Sequence, residues 1–241
     1  MTDEHATLKG RYEAQPYGGQ AYRATHPDRL AAVARLVGID APDVATARIL
    51  EIGCGDGFNL VAMADGLPDA RLVGVDLSDE ILAPGRRCAE AVGLDNLELV
   101  AGGLPDLPVP TGEFDYVIAH GVYSWLPPDV LETAMDQIAR ALAPNGLAYV
   151  SFNAYPGWHL RMLAREMMRM EVRVDDERSA AEQVGRAQAL LDYVSEELGE
   201  NGHHALVLKY AASQLKGRSE TYLFHDYLAP FNTPMTFTEF A

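Results

Sequence analysis

The sequence predicts an α/β fold: a parallel sheet between helices, with a helical insertion after the fifth strand. Three observations predict it. Five short apolar runs alternate with helical or loop segments at the spacing of strand–helix–strand units. The first run enters three closely spaced glycines, "EIGCGDGFN" at 51–59. Beyond Pro156 the β signal stops and helical periodicity replaces it.

The elements follow in order. Thr25-His26-Pro27-Asp28 reads as a capping box with proline in the first turn, and Leu30, Val33, Ala34 and Val37 then share one helix face. The strands are expected at 47–53, 71–77, 97–101, 114–121 and 147–153. The second, fourth and fifth are apolar at their centres, as strands buried on both faces are. Between the second and third, "SDEILAPGRRCAEAVG" carries Pro84-Gly85, so the helix there is expected to start late or bend. After Pro127-Pro128-Asp129, Leu131, Met135, Ile138 and Leu142 form an apolar stripe, and Asn145-Gly146 is expected to end that helix. Helices are expected at 158–174 (Leu160, Leu163, Met167, Met170, Val174), at 180–198 (Val184, Leu191, Val194, Leu198) and at 204–215. The final "TPMTFTEFA" reads as a helix beginning. The expected division is a ligand-binding domain at 1–155 and a helical lid at 156–241.

Composition limits the function. Hydrophobic residues make up 48% of 241, enough for a packed core. No run approaches the ~18–20 apolar residues of a membrane span, and the polar "MTDEHATLKG" start is unlike a signal peptide. Cys54 and Cys88 form no metal or disulfide framework, so no metal is expected and the setting reads as cytoplasmic. A net charge of −16 disfavours nucleic acid as a partner. His203-His204 reads as a surface loop pair. Arg161, Arg165, Arg169 and Arg173 form a stripe, read first as pairing with Glu166 or with Asp175, Asp176 and Glu177.

The glycines narrow the ligand. A dinucleotide site needs G-x-G-x-x-G, and Phe58 stands where its third glycine belongs. Asp56 inside the loop opposes a pyrophosphate, whereas S-adenosylmethionine carries a sulfonium and an ammonium that an acidic turn suits. Asp76 ends the second strand, where an acid accepts hydrogen bonds from ribose hydroxyls. Glu51, Gly53, Gly55, Gly57 and Asp76 together make the pattern of class I S-adenosylmethionine-dependent methyltransferases.

"THPDRLA", "LEIGCGDGFNL", "GVDLS", "AHGVYSWLPPDV", "SFNAYPGWHLR" and "HDYLAP" together resemble bacterial class I methyltransferases that carry a methyltransferase regulatory domain. Rickettsial-type protein-lysine methyltransferases are similar in this architecture. The resemblance implies a Rossmann-like sheet and S-adenosylmethionine as cofactor. It implies that Glu51, Gly53, Gly55 and Gly57 floor the methionine side, with Cys54, Asp56 and Asn59 beside them. Asp76 would hold the ribose, Leu77 the adenine, and His120 would border the methyl group. Tyr17 is the candidate cover of the methionine carboxylate. Many such enzymes have an aspartate at or near Gly103, so the adenine contact there is a departure. A full sheet of this family has two further strands, so the expectation is that they lie beyond residue 241 and the regulatory domain is cut short.

Methyl transfer from a sulfonium needs positioning, desolvation and a free lone pair more than a triad. The substrate pocket candidates are His120, Tyr123, Trp125, Asn153 and Tyr155, with Trp158 and His159 nearby in sequence. An aromatic wall attracts a cation by ~0.5–2 kcal/mol. The leading expectation is N-methylation of a protein lysine. A small-molecule acceptor and a non-catalytic S-adenosylmethionine-binding assembly module stay open, as does a homodimer through the helical part.

Overall fold

The computed structural model describes residues 3–104, 106–172, 176, 178–198 and 202–241. The chain divides into two compact units, Met1–Phe152 and Asn153–Ala241.

The first unit holds a five-stranded sheet: β1 (Arg48–Ile52), β2 (Arg71–Asp76), β3 (Leu97–Ala101), β4 (Phe114–Ala119) and β5 (Leu142–Val150). All pairings are parallel, in the order β3-β2-β1-β4-β5. The mixed α/β architecture expected from the sequence is therefore the one observed. β1 lies at the centre, so Ile49 and Leu50 are sealed on opposite faces, as are Tyr116 and Val117 of β4. Each fully buried side chain of this size contributes ~1.5–3 kcal/mol. Tyr116 keeps its hydroxyl satisfied by donating to the Pro42 carbonyl at 2.6 Å.

Among the described residues the α-helices of this unit are α1 (Asp3–Ala14), α2 (Pro27–Leu36), α3 (Phe58–Gly66), α4 (Asp79–Val92) and α5 (Pro128–Ala141). α2 is capped by His26, whose Nδ1 accepts from Asp28 N–H, and not by Thr25. It buries Pro27, Ala31 and Ala34, leaving Val33 and Val37 exposed; small alanines allow the closer approach. α4 starts without delay at Asp79, capped by Ser78, and carries Pro84 within it. α5 buries Ile138 as expected, but Val130, Ala134 and Ala141 where the stripe had Leu131, Met135 and Leu142. That helix ends at Ala141. Asn145, at φ +63°, and Gly146 lie inside β5, where the register against β4 jumps from Phe114–Leu142 to Tyr116–Leu147. The turn residues make a bulge in a strand that starts early.

The second unit packs α6 (Trp158–Arg169), α7 (Ala180–Glu197) and α8 (His203–Leu215) around Met168, Val184, Ala187, Leu191, Leu208 and Leu215. A short helix, α9 (Glu220–Tyr222), runs into a π-helical turn at Leu223–Tyr227, and α10 (Phe237–Phe240) closes the chain. His203 and His204 begin α8 instead of lying in a loop. Of the arginine stripe, Arg165 is 1% exposed and donates to the Asp226 and Ala229 carbonyls. Arg161 lies over the Trp158 ring. Among the described residues, Asp176 pairs with Arg178, and Glu171 pairs with Arg186 at 2.9 Å. Arg173, Val174, Asp175 and Glu177 lie outside the described residues.

A capping box starts α7: Ser179 accepts from Glu182 N–H while the Glu182 carboxylate accepts from Ser179 N–H. Ser179→Ala is expected to cost about 1 kcal/mol, measured as a lower urea midpoint at unchanged slope.

Candidate active site

β1 delivers the chain into a loop that only glycine follows comfortably. Gly53, Gly55 and Gly57 take φ of +68°, +58° and +83°. The amides of Gly53 and Cys54 donate to the Val75 carbonyl, fastening the loop to β2. A Cβ on Gly53 would meet Val122 Cγ2 at 2.3 Å, and one on Gly57 would meet Leu99 Cδ1 at 2.8 Å. Gly57 is also the N-cap of α3, which begins at Phe58.

Three carboxylates gather at this loop. Glu51 is 3% exposed; its Oε1 accepts from Asn59 Nδ2 at 2.8 Å, while buried Oε2 has no hydrogen-bond partner among the described residues. Burial pushes its pKa up to about 8 against the opposing Asn59 hydrogen bond, with the Asp76 charge adding to the rise. Asp76, at the end of β2, accepts from Gly55 N–H and Leu77 N–H, both at 2.7 Å. Burial lifts it to about 6, although the two amides pull the other way. Asp56 accepts from Gly19 N–H at 2.7 Å and Phe58 N–H at 3.2 Å. The Cys54 thiol is buried among these acids and is pushed well above the usual thiol range, which keeps it protonated. Among the described residues, the hydrogen-bond partners of the three carboxylates are backbone amides and Asn59, with no basic side chain.

This arrangement fits a cationic ligand. An unpartnered carboxylate oxygen buried in protein is costly unless a donor or cation meets it. An ammonium supplies both. A pyrophosphate would instead face three acids.

The segment before α2 lies on the loop. Gly19 N–H reaches Asp56, and a Cβ on Gly19 would come within 2.0 Å of Asp56 Oδ1. Tyr22 N–H donates to Asn59 Oδ1 at 2.8 Å, and Asn59 Nδ2 also donates to Thr25 Oγ1. Thr25, fully buried, donates in turn to the Tyr22 carbonyl. That network explains why Thr25 does not cap α2. Tyr17 sits in the same segment, 39% exposed.

Past β4, His120 is half-buried, and burial lowers its pKa. The Tyr22 ring lies 4.5 Å from its ring centre, and the Tyr149 hydroxyl is 3.3 Å from Nδ1. Gly121 N–H donates to Ser151 Oγ at 2.7 Å. Tyr123 and Trp125 occupy a 3-10 turn directly after, both partly buried. After β3, Gly102 N–H donates to the Asp76 carbonyl, and a Cβ on Gly103 would be 3.0 Å from Leu77 Cδ2. Gly103 and Leu77 are thus brought together, on the side where the resemblance places adenine.

The first unit therefore gathers Glu51, Gly53, Cys54, Gly55, Asp56, Gly57, Asn59 and Asp76 around one loop, with Leu77 and Gly103 beside it. His120 stands at the same carboxyl-end edge of the sheet, where parallel sheets take ligands. Asn153 and Tyr155 belong to the second unit. There Asn153 donates to Asn232 Oδ1 at 2.8 Å, and Tyr155 stacks on His159 with ring centres 4.2 Å apart. The residues that sequence reasoning missed are Tyr22, Thr25, Tyr149 and Ser151. Their only sequence signal is polarity inside otherwise apolar or loop stretches.

Residues 49–146 match the methyltransferase domain family. The uncharacterized protein RP028 of Rickettsia prowazekii is 32% identical over 97% of this chain and 93% of its own length. RP789 of the same organism is 36% identical over 95% of this chain, which spans 41% of that protein. The structure of PKMT2 from Rickettsia typhi superposes with a TM-score of 0.80 at 33% identity, covering 93% of this chain and 43% of PKMT2. A second structure of PKMT2, in complex with AdoHcy, matches at 0.79. The chain thus spans nearly all of RP028 and about two-fifths of RP789 and PKMT2. With its glycine loop, its acids and these relatives, the chain belongs to the class I S-adenosylmethionine-dependent methyltransferases, similar to the rickettsial PKMT proteins.

Proposed function

We propose that this protein methylates a nitrogen, with a protein lysine as the acceptor. The observation that carries the acceptor is the likeness to PKMT2 over 93% of the chain. The bound cofactor supplies an electrophilic methyl group on a sulfonium. The chain's own residues hold and orient it. Glu51, with its unpartnered Oε2, receives the ammonium; Asp76 receives the ribose hydroxyls; Leu77 and Gly103 make room for adenine. The segment 17–25 is tied to the loop by Gly19 N–H on Asp56 and Tyr22 N–H on Asn59. Tyr22, His120, Tyr149, Tyr123 and Trp125 form the acceptor side, polar enough to orient a nitrogen and apolar enough to favour its neutral form. Residues 156–241 are proposed as a helical lid or part of a regulatory domain.

The test is incubation with S-adenosylmethionine and a panel of lysine-containing proteins and small amines, read by mass spectrometry. Methyl groups on lysine Nζ support the reading. Methyl only on small amines moves the acceptor, and tight cofactor binding with no AdoHcy formed on any acceptor favours a non-catalytic module. Asp76→Ala is expected to weaken S-adenosylmethionine binding about 100-fold by calorimetry, because charge-assisted hydrogen bonds are worth ~1.5–3 kcal/mol each.

A further inference from the structure

A lysine ammonium has no lone pair, so a proton must leave before nitrogen can attack a methyl group. The acceptor side offers one side chain suited to take it. His120 stands just past the end of β4, half-buried, and burial favours its neutral imidazole. A neutral imidazole has one N–H, and the partner at one nitrogen decides whether the other is a donor or a base. Here the partner at Nδ1 is the Tyr149 hydroxyl, 3.3 Å away. Its place is fixed by the sheet: β4 and β5 pair Ile118 with Tyr149 and Ala119 with Val150, directly before His120. Tyr22 lies against the same ring, 4.5 Å centre to centre. Gly121, bonded to Ser151 Oγ, sets the chain direction beyond it. Among the described residues, the titratable groups whose rings lie against the imidazole are the phenols of Tyr22 and Tyr149.

We propose that Tyr149 is a positioning residue: its hydroxyl oxygen accepts Nδ1–H of His120 and so leaves Nε2 as the proton acceptor for the substrate ammonium. This rests on the reading of the site as a nitrogen methyltransferase. In the proton step an N–H bond of the ammonium breaks and its electron pair stays on the nitrogen. The proton goes to Nε2, and imidazolium later returns it to water. A phenol suits this task because its oxygen serves as acceptor in both charge states of the ring. The imidazolium cannot accept at Nδ1, so a group able only to donate there would oppose the transfer. A phenylalanine offers neither.

The experiment uses the whole chain and the variant Tyr149→Phe, with His120→Asn to assign the ring signals. Nitrogen-15 NMR of the histidine rings reads tautomer and pKa without any acceptor. Wild type is expected to show His120 protonated at Nδ1 in its neutral form. Tyr149→Phe is expected to shift it toward the Nε2–H form and to lower the pKa, because the imidazolium loses its acceptor. With poly-L-lysine as methyl acceptor, the acidic limb of the kcat profile should move to lower pH by the same amount. The plateau should fall by about 10- to 100-fold, part of the ~10²–10⁴ that a positioned general base contributes. Tyr22→Phe, which keeps its ring against His120, should leave the tautomer unchanged. A folded Tyr149→Phe protein with unaltered tautomer and pKa overturns the proposal, as does an equal change in Tyr22→Phe. Should Tyr149→Phe not fold, a wild-type His120 found as the Nε2–H tautomer overturns it as well. NMR changes as expected, with no methyl entering poly-L-lysine, overturn the lysine reading alone and support the pairing.

Discussion

Glu51→Gln is expected to weaken S-adenosylmethionine binding at pH 8 by about a hundredfold while making the cofactor-free protein more stable there. Both effects come from one buried carboxylate. Its Oε2 has no hydrogen-bond partner among the described residues, and burial holds its pKa up at about 8. In the unfolded chain the same group ionises in the ordinary glutamate range, near 4.5. The folded pKa is raised, so the folded state binds the proton that the unfolded state has lost. Between about pH 4.5 and 8 the wild-type protein therefore loses about 1.4 kcal/mol of stability per pH unit from this residue alone. Glutamine does not titrate. The variant's advantage in urea denaturation should be near zero at pH 4.5, grow toward pH 8 and then level off. Ligand binding runs the other way. A cationic ammonium favours ionised Glu51, so wild-type affinity rises with pH up to about 8 with a proton released, while the Glu51→Gln affinity lacks that slope. A truncated partner of a desolvated charge pair costs ~2–5 kcal/mol, which is the source of the hundredfold. Calorimetry in buffers of different ionisation enthalpy would count the proton. A variant that binds as tightly as wild type at pH 8 would remove Glu51 from the ammonium site.

The second large effect has opposite signs at two levels of description. Gly85 lies inside α4, where alanine is favoured over glycine by ~1 kcal/mol on helix propensity. Gly85→Ala should therefore stabilise the protein if the helix alone mattered. Tertiary structure says otherwise: a Cβ there would sit 1.9 Å from the Asp56 carbonyl oxygen, a backbone atom that cannot rotate away. The expected outcome is a net loss of roughly 2 kcal/mol or more. A drop of about tenfold in cofactor affinity should accompany it, as the displaced loop carries Asp56 and Gly55 away from Gly19 and Asp76. A urea midpoint at or above that of wild type would show that α4 tolerates the methyl group and that the close approach is not needed.

The five strands were legible because a parallel sheet buries both faces, and the runs ending at Asp76 and around Val117 announce that in composition. The helices of the second unit were legible from periodicity, each within a few residues apart from the longer reach expected of the first. Where local reading failed, a tertiary partner outbid the local one. Thr25 looked like a cap and was taken by Asn59 and Tyr22. Asn145-Gly146 looked like a helix end and became a bulge, because β5 pairs with Phe114 at Leu142, ahead of the strand signal that begins at Leu147. Arg165 looked like part of a surface stripe and went inside to bind two carbonyls of the π-helical segment and its end.

By itself the sequence determined the α/β class, the ligand loop and the chemistry of the ligand. Glycines at positive φ and acids at the ends of strands are local requirements, written in consecutive residues. Tertiary structure decided which donors those acids keep. Glu51 and Asn59 are eight residues apart, but Gly19 N–H reaches Asp56, and Tyr22 N–H reaches Asn59, each from 37 residues away. Tyr149 meets His120 only because β5 lies beside β4 in one register, 29 residues downstream. No spacing rule connects such residues. Which side chain faces which across a sheet is fixed by strand order and a bulge, and these are settled by packing the whole core.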